Sequence, residues 1–342
     1  MVGMRDVARK AGVSLSTVSL VVNGTGYVSQ EMREKVEGAI SELGYVPKTR
    51  IRHPKAGRTG LVGVLMPSLY HPFFASLLSE LHRHLADIGE MAVSFGTTEQ
   101  PDAEQICFEM LRQHRFDGFI SCSHGGLGDS WGTVDAPIVA FDRFLHPSIP
   151  VVNSDHEQSA RLIAGLLLGT GVKHVVEMGG PRSQFHDIPV DERGNDTSFP
   201  ITHYHRALEG ELAKNGVHVE YVQIDRVSDL PLFGKAAETA FDAYPDVEAI
   251  VAPDLAAACS VRQAIRRGIG IPDRLQVVAY DGTFVTDVAG MRITSVRQNL
   301  DGIARGLVHQ LEQEMQRAGN RRNRIAEHKV VGVKLVKGDT TR

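Results

Sequence analysis

The chain reads as a small all-α head joined to a larger α/β body. Three observations carry that expectation. A compact stretch, "VARKAGVSLSTVSLVVNG", fills residues 7–24; Val- and Ile-rich runs alternate with helical patterns from residue 61 onward; and charge is split unevenly between the two parts. The 342 residues exceed one typical domain, and at 42% hydrophobic they can bury sizeable cores.

In the head, Asp6 to Ala11 suits a short helix, Gly12 supplies a turn, and Ser14 caps a helix through Val22 that Asn23 and Gly24 close. Two short helices joined by a tight glycine turn make a helix-turn-helix. A third helix follows, capped by Ser29 with Glu31 in its first turn. Met32, Val36, Ala39, Ile40 and Leu43 fall on one face of it. An ordinary helical hairpin is the alternative reading of this pattern. Residues 1–58 hold ten Lys or Arg against five Asp or Glu, a net of +5, and the remainder holds 27 against 36, a net of −9. Such asymmetry suggests a polyanion-binding head on an acidic body. Residues 48–58, "KTRIRHPKAGR", carry five basic residues and no acidic one, which also suits a solvated linker.

In the body, "LVGVLM", "MAVSF", "GFISC", "IVAF", "HVVEM", "EAIVA" and "LQVVAY" alternate with helical patterns such as Phe74, Leu77, Leu78, Leu81 and Leu85. That alternation predicts parallel sheets with helices on both faces. Ligands of such sheets sit beyond the carboxyl ends of strands, which singles out Ser68, Asp142, Asp254 and Asp281. The three carboxylates are expected to converge on one cleft. Their oxygens accept from hydroxyls, while Phe73, Phe74 or Trp131 covers an apolar sugar face. The alternative is that an Asp after a strand N-caps the next helix.

Other chemistry is thinly represented. Cys107, Cys122 and Cys259 are widely spaced in apolar runs and read as buried thiols, not as a disulfide framework or zinc site. His186, His203 and His205 lack a well-spaced carboxylate for a metal and read as part of a solvated loop. "HGGLGDSWG" at 124 fits neither the dinucleotide nor the P-loop spacing, so no catalytic residue, metal or cofactor is expected, with an acid-base pair of Asp142 and Asp281 as the one enzymatic alternative. No run approaches the ~18 apolar residues of a membrane span and no signal sequence is visible, so a cytoplasmic protein without a membrane partner is expected.

"DVARKAGVSLSTVSLVVNGTGYVSQEMREKVEGAISELGYVP", followed by "GRTGLVGVLMPSLYHPFF" and, in order, "PIVAFDR", "VVNSD", "MGGP", "VVAYDG" and "ITSVRQN", resembles the lactose-repressor and galactose-repressor (LacI/GalR) family of bacterial transcription regulators. The resemblance covers nearly the whole chain. It implies a helix-turn-helix headgroup at 1–47, a hinge at 48–59, and a two-lobed, periplasmic-binding-protein-like effector domain at 60–342. Lobe 1 is placed at about 60–153 plus 282–298, and lobe 2 at about 154–281 plus 299–342. The implied function is a repressor whose affinity for a pseudo-palindromic double-stranded DNA operator is set by a sugar-like small molecule bound between the lobes. The alternative is a cytoplasmic sugar-binding sensor without a DNA role.

Carried over residue by residue, the resemblance assigns DNA contact to Ser14, Leu15, Ser16, Thr17, Leu20, Asn23 and Tyr27, with Ile51, Arg52 and Pro54 in the hinge. Leu15, Ser16 and Leu20 are the base-edge readers, and Ser14 and Thr17 serve as cap and phosphate contact. It assigns effector contact to Ser68, Phe73, Phe74, Asp142, Arg143, Tyr204, Arg206, Asp254 and Asp281. The chain departs from the family pattern in several places. Leu20 stands where an arginine is usual, Pro54 falls on the apolar hinge wedge, and Lys48 replaces an asparagine. A strand motif ends Pro253-Asp254 instead of Asn-Asp, segment 181–205 is longer and more polar, and a sugar-clamping arginine would fall near Tyr204 or Arg206. These changes suggest an effector other than a common simple hexose. A homodimer is expected, burying the helix from Phe74 to Leu85, because "HKVVGVKLVKGDTTR" reads as a final strand and polar tail with no leucine heptad to make tetramers.

Overall fold

A computed structural model describes residues 2–23, 26–45, 58–123, 127–190, 196–226, 229–317 and 326–342. The chain divides into two compact units, Met1–Gly60 and Leu61–Arg342. Ile51, Arg52 and Pro54 of the expected hinge lie outside the described residues.

The first unit holds α1 (Met4–Ala11), α2 (Leu15–Asn23) and α3 (Gln30–Leu43). Gly12 takes a left-handed φ of 67° between the first two helices, a conformation that costs glycine nothing. Ser14 Oγ accepts the Thr17 N–H at 3.1 Å, and Ser29 Oγ accepts that of Met32 at 3.4 Å, so both expected caps form. Val7, Val18 and Val36 are fully buried at the centre of the three-helix core. Of the expected α3 face, Val36 and Ala39 are buried and Ile40 and Leu43 pack beside them, whereas Met32, in the first turn, stays 46% exposed.

The second unit begins β1 (Leu61–Met66), α4 (Pro72–Asp87), β2 (Met91–Gly96), α5 (Ala103–Arg112), β3 (Gly118–Ser121), β4 (Ile138–Phe141) and β5 (Val151–Ser154). It continues with α6 (His156–Gly169), β6 (His174–Gly179), α7 (Thr202–Lys214), β7 (His218–Gln223), α8 (Leu230–Ala243), β8 (Ala249–Pro253) and α9 (Asp254–Arg266). It closes with β9 (Gln276–Asp281), α10 (Val285–Val288), β10 (Thr294–Arg297), α11 (Leu300–Gln316), β11 (His328–Val331) and β12 (Lys334–Val336). The seven apolar runs all form strands. They belong to two six-stranded sheets, ordered β11-β5-β4-β3-β1-β2 and β12-β10-β9-β8-β6-β7. Every pairing is parallel except β10 with β12.

Both sheets are covered on both faces, as parallel sheets require. The first is packed by Leu77, Leu81 and Leu85 of α4 and Leu307 and Leu311 of α11 on one side, and by Cys107 and Leu111 of α5 with Trp131 on the other. The second is packed by α8 and α9, and on its other face by α6 and α7. Cys122 is also buried and Cys259 half-buried.

Several expectations are corrected here. β10 lies in the second sheet, because a short connection returns it parallel to β9 with Thr294 opposite Val278. α11 and β11 belong with the first sheet, because Ile303, Ala304, Leu307 and Leu311 bury their apolar stripe against it. Phe74, Leu77, Leu81 and Leu85 face inward, so the α4 stripe is core and not a dimer face. The expected final strand is two strands broken at Gly332, one in each sheet. The polar tail is also pinned: Thr340 is fully buried, its hydroxyl donating to Val277 O at 2.6 Å and accepting the Thr294 N–H at 2.9 Å.

The chain therefore crosses between sheets three times, after β5, after β10 and between β11 and β12. The crossings are tied together. Asp155 N–H donates to Val331 O at 2.8 Å, Val333 N–H to Gln158 Oε1 at 3.1 Å, and Ser154 Oγ to Gln298 Oε1 at 2.5 Å.

Thr340→Val keeps the volume but leaves a buried N–H and a carbonyl without their partner. Urea unfolding of the variant is expected to show a loss of about 1–3 kcal/mol, and an unchanged midpoint would mean that the tail contributes nothing.

Candidate functional site

The carboxyl ends of both sets of strands border a cavity of about 320 Å³. Phe73, Phe74, Phe141 and Asp142 line it from the first sheet's elements, and Phe185, Phe199, Tyr204, His205, Phe233, Tyr280 and Asp281 from the second's. Asp142 follows β4 with a φ of 51°, and Asp281 ends β9 with a φ of 119°. Non-glycine residues adopt such angles at a cost that surrounding structure must hold in place, and such strain clusters at ligand sites.

Two hydrogen-bond chains hold these carboxylates. His156, the first residue of α6, bonds Asp142 Oδ1 through Nε2 at 2.7 Å and the Tyr280 hydroxyl through Nδ1 at 2.7 Å. Gln298 donates through Nε2 to Asp281 Oδ1 at 2.7 Å while its Oε1 accepts from Ser154. Neither carboxylate forms an ion pair with Lys or Arg among the described residues. Burial, reinforced by the nearby Asp254 carboxylate, holds Asp281 well above the ordinary carboxylate range.

The nine expected effector residues divide into two groups. Phe73, Phe74, Asp142, Tyr204 and Asp281 line the cavity; Ser68, Arg143, Arg206 and Asp254 do not. Asp254 is turned to the loop after β9, where it accepts the Gly282 N–H at 3.0 Å and both the N–H and hydroxyl of Thr283 at 2.6 Å. Burial nevertheless pushes it up to about 6, against the pull of those donors. It fixes the backbone that carries Asp281, so it neither converges on the cleft nor caps the next helix, which it opens as the first residue without a side-chain cap bond. Ser68 donates to Glu99 at 2.9 Å, Arg206 donates to Asp196 Oδ1 at 2.8 Å and to Phe185 O, and Arg143 stacks 3.8 Å over the Phe199 ring. Trp131 lies in the first sheet's core, its Nε1 donating to Glu104 at 3.2 Å, and covers no part of the cavity.

The residues not anticipated are His71, Glu177, His156, Tyr280, His205 and Gln298. Glu177 carried a visible signal, a charge inside the apolar run "HVVEM". His205 is buried instead of solvated, because α7 turns it onto Glu177, whose Oε1 it meets through Nδ1 at 2.6 Å. His186 is exposed beside Asp196, as a loop residue would be.

In the first unit, α2 presents an uncharged surface. Ser14, Leu15 and Ser16 are exposed, Thr17 and Leu20 half-buried, and Tyr27 is 94% exposed. Leu20 leans on Gly26, where an added Cβ would meet its Cδ2 at 3.1 Å. Lys10 pairs with Glu42 at 2.8 Å and Lys35 with Glu31 at 2.7 Å. Arg5 and Arg33 have no ion pair among the described residues.

Residues 3–48 match the model for bacterial regulatory proteins of the lacI family, and residues 194–341 match a periplasmic binding protein-like domain. The sucrose operon repressor of Streptococcus mutans is 32% identical over 308 residues, 89% of this chain and 90% of that protein. The ribose operon repressor of Halalkalibacterium halodurans is 30% identical over 319 residues, 92% of each. The crystal structure of the Lac repressor dimer bound to operator and the anti-inducer ONPF shares the fold with a TM-score of 0.77, at 22% identity over 99% of each chain.

His71 offers a pH test of the cavity wall. It packs against Phe74 and Phe233 at ring distances of 5.4 and 5.7 Å, and burial lowers it from 6.5 to about 4. The unfolded chain therefore takes up this proton first, so the stability that depends on neutral His71 is full above pH 6.5 and is lost as pH falls toward 4. Wild type should lose roughly 3 kcal/mol more than His71→Phe between pH 7 and pH 4 in urea unfolding; parallel losses would show that His71 stays neutral in neither state.

Proposed function

This chain belongs to the lacI family of bacterial regulatory proteins and is a DNA-binding transcription regulator, and we propose that it acts as a homodimeric repressor controlled by a carbohydrate or carbohydrate derivative. The observation that carries the effector reading is the cavity itself. It joins two strained carboxylates to aromatic walls at the place where the chain crosses between sheets. Carboxylate oxygens accept hydroxyls and aromatic rings cover the C–H faces of a sugar, so the pair suits a polyhydroxylated ligand. Phe73, Phe74, Asp142, Tyr204 and Asp281 make the direct contacts in this reading. Ser68, Arg143, Arg206 and Asp254 hold the walls around them.

A ligand that touches both sheets binds their alternative arrangements with different affinity, and that difference is what regulation requires. The operator is pseudo-palindromic, with one α2 in each of two successive major grooves. Leu15 and Ser16 meet base edges, Leu20 touches a thymine methyl, and Ser14, Thr17, Asn23 and Tyr27 place the helix against the backbone. Arg5 and Arg33 are available to phosphates. Ile51 or Pro54, beside Arg52, enters the minor groove. Exposed Phe284 and Val288, at 61% and 71%, offer apolar surface for the second copy.

Sheared genomic DNA retained by the full chain at moderate salt should, when sequenced, return a recurring palindrome. Salt-sensitive binding without a preferred sequence would overturn the operator reading. In a selection from random DNA, Leu20→Arg should shift one position of each half-site toward guanine by about 1–3 kcal/mol, and an unchanged preferred sequence would remove Leu20 from the base-reading surface.

A further inference from the structure

Glu177 sits in the middle strand region of β6 and is fully buried, with its Oε2 lacking a hydrogen-bond partner. Its Oε1 meets His205 Nδ1 at 2.6 Å. His205 lines the cavity, and with Nδ1 engaged its remaining polar atom is Nε2. The ring is seated tightly: it stacks on Phe185 at 5.5 Å, and a Cβ on Gly179 would lie 2.3 Å from His205 Cε1 and 2.7 Å from Nε2.

One proton shared by this pair has two placements. Either the carboxylate faces an imidazolium, or a carboxylic acid donates to Nδ1 of a neutral ring. Both leave the hydrogen on Nε2. While the pair keeps its proton, the cavity therefore meets a donor at this point; once the proton is lost, it meets an acceptor. Burial raises Glu177, which holds the proton in place as pH rises, although His205 and Arg182 pull the other way. The other ionisable groups around the pair are already engaged: Arg182 with Glu209 at 3.1 Å, Tyr221 donating to Gly180 O at 2.7 Å, and buried Tyr204.

The same wall carries Arg226, three residues beyond the end of β7, the strand paired with β6. It has no ion pair among the described residues. Of the cavity's acidic groups, Asp281 is raised by burial well above the ordinary carboxylate range, Asp142 is bonded to His156, and Asp225 accepts from Gln223 Nε2 at 2.7 Å.

We propose that Glu177 and His205 form a specificity-determining pair that donates Nε2–H to an acceptor-only oxygen, and that with Arg226 it selects an anionic carbohydrate derivative, a sugar carboxylate or sugar phosphate. This rests on the cavity being the effector site. A hydroxyl can present either a donor or an acceptor and gains little from such a wall, whereas a carboxylate or phosphate oxygen can only accept.

Titration calorimetry of the full chain with glucuronate and galacturonate, with glucose 6-phosphate, and with glucose and galactose tests this directly. A charged probe is expected to bind roughly 10- to 100-fold more tightly than its neutral counterpart, and the carboxylate and phosphate arms separate the two sources of charge. His205→Phe keeps the ring stack and removes the donor; the Glu177→Gln, His205→Phe double variant also removes the buried acid and serves if the single variant folds poorly. Both should erase the preference, read within each variant as the ratio of charged-probe to neutral-sugar affinity. Neutral sugars that bind as tightly as the acids, or a preference that survives in the variants, would overturn the anionic-ligand assignment and leave the carbohydrate reading standing. Failure of every probe would bring down both. Independently, nitrogen NMR of the unliganded protein should show His205 Nε2 protonated at pH 7.5, and an unprotonated Nε2 would overturn the proposal without any ligand.

Discussion

Asp142 is held across the gap between the two sheets by a hydrogen bond that neither sheet makes alone, and Asp281 by a residue that is itself tied to the other sheet. Asp142 hangs from β4 of the first sheet, but its partner His156 opens α6 on the second. Asp281 ends β9 of the second sheet, and Gln298, which holds it, is bonded in turn to Ser154 of the first. Bonds involving charged groups contribute about 1.5–3 kcal/mol each, and coupling between sites in regulated proteins is typically about 1–3 kcal/mol. The two scales are comparable. On the proposed effector reading, a ligand that redirected one of these bonds would supply a coupling of the size that regulation uses.

The same arrangement leaves both carboxylates without a Lys or Arg ion pair among the described residues. Burial without a counter-charge raises Asp281 well above the ordinary carboxylate range, and the left-handed backbone at both aspartates is the local cost of aiming them into the cavity. Gly282 next to Asp281 makes that turn possible, since a Cβ there would meet Arg297 Cα at 2.6 Å. Asp254 completes the support by holding the N–H groups of Gly282 and Thr283.

Much of the fold is written in local pattern, and what is not legible has a common cause. Strand-forming runs and caps depend on neighbours in sequence, so all seven runs, Gly12, Ser14 and Ser29 were readable. The direction in which a side chain points depends on partners far away. Asp254 and Asp281 both follow apolar strands, yet one is captured by a loop 28 residues later and the other faces the cavity. An apolar stripe such as Phe74 to Leu85 does not reveal whether it packs on its own sheet or on a second copy. Gly332 breaks a run that looked like one strand, and only the existence of two sheets gives each half a partner. His205 looked like a loop histidine until α7 brought it onto Glu177.

The reading head divides its labour in the same spirit. α2 carries no charge, so on the proposed operator reading its contacts with base edges add discrimination and little attraction. Attraction to DNA must come from basic residues elsewhere, and the sequence concentrates five of them in 48–58, with Arg5 and Arg33 lacking an ion pair among the described residues. Phosphate contacts depend steeply on salt, whereas methyl and hydroxyl contacts do not. Affinity and selectivity thus rest on different segments of the chain. On the proposed reading, a change that weakens the phosphate contacts alters how firmly the head is held on DNA without altering which sequence α2 prefers, so regulation of affinity leaves the choice of operator intact.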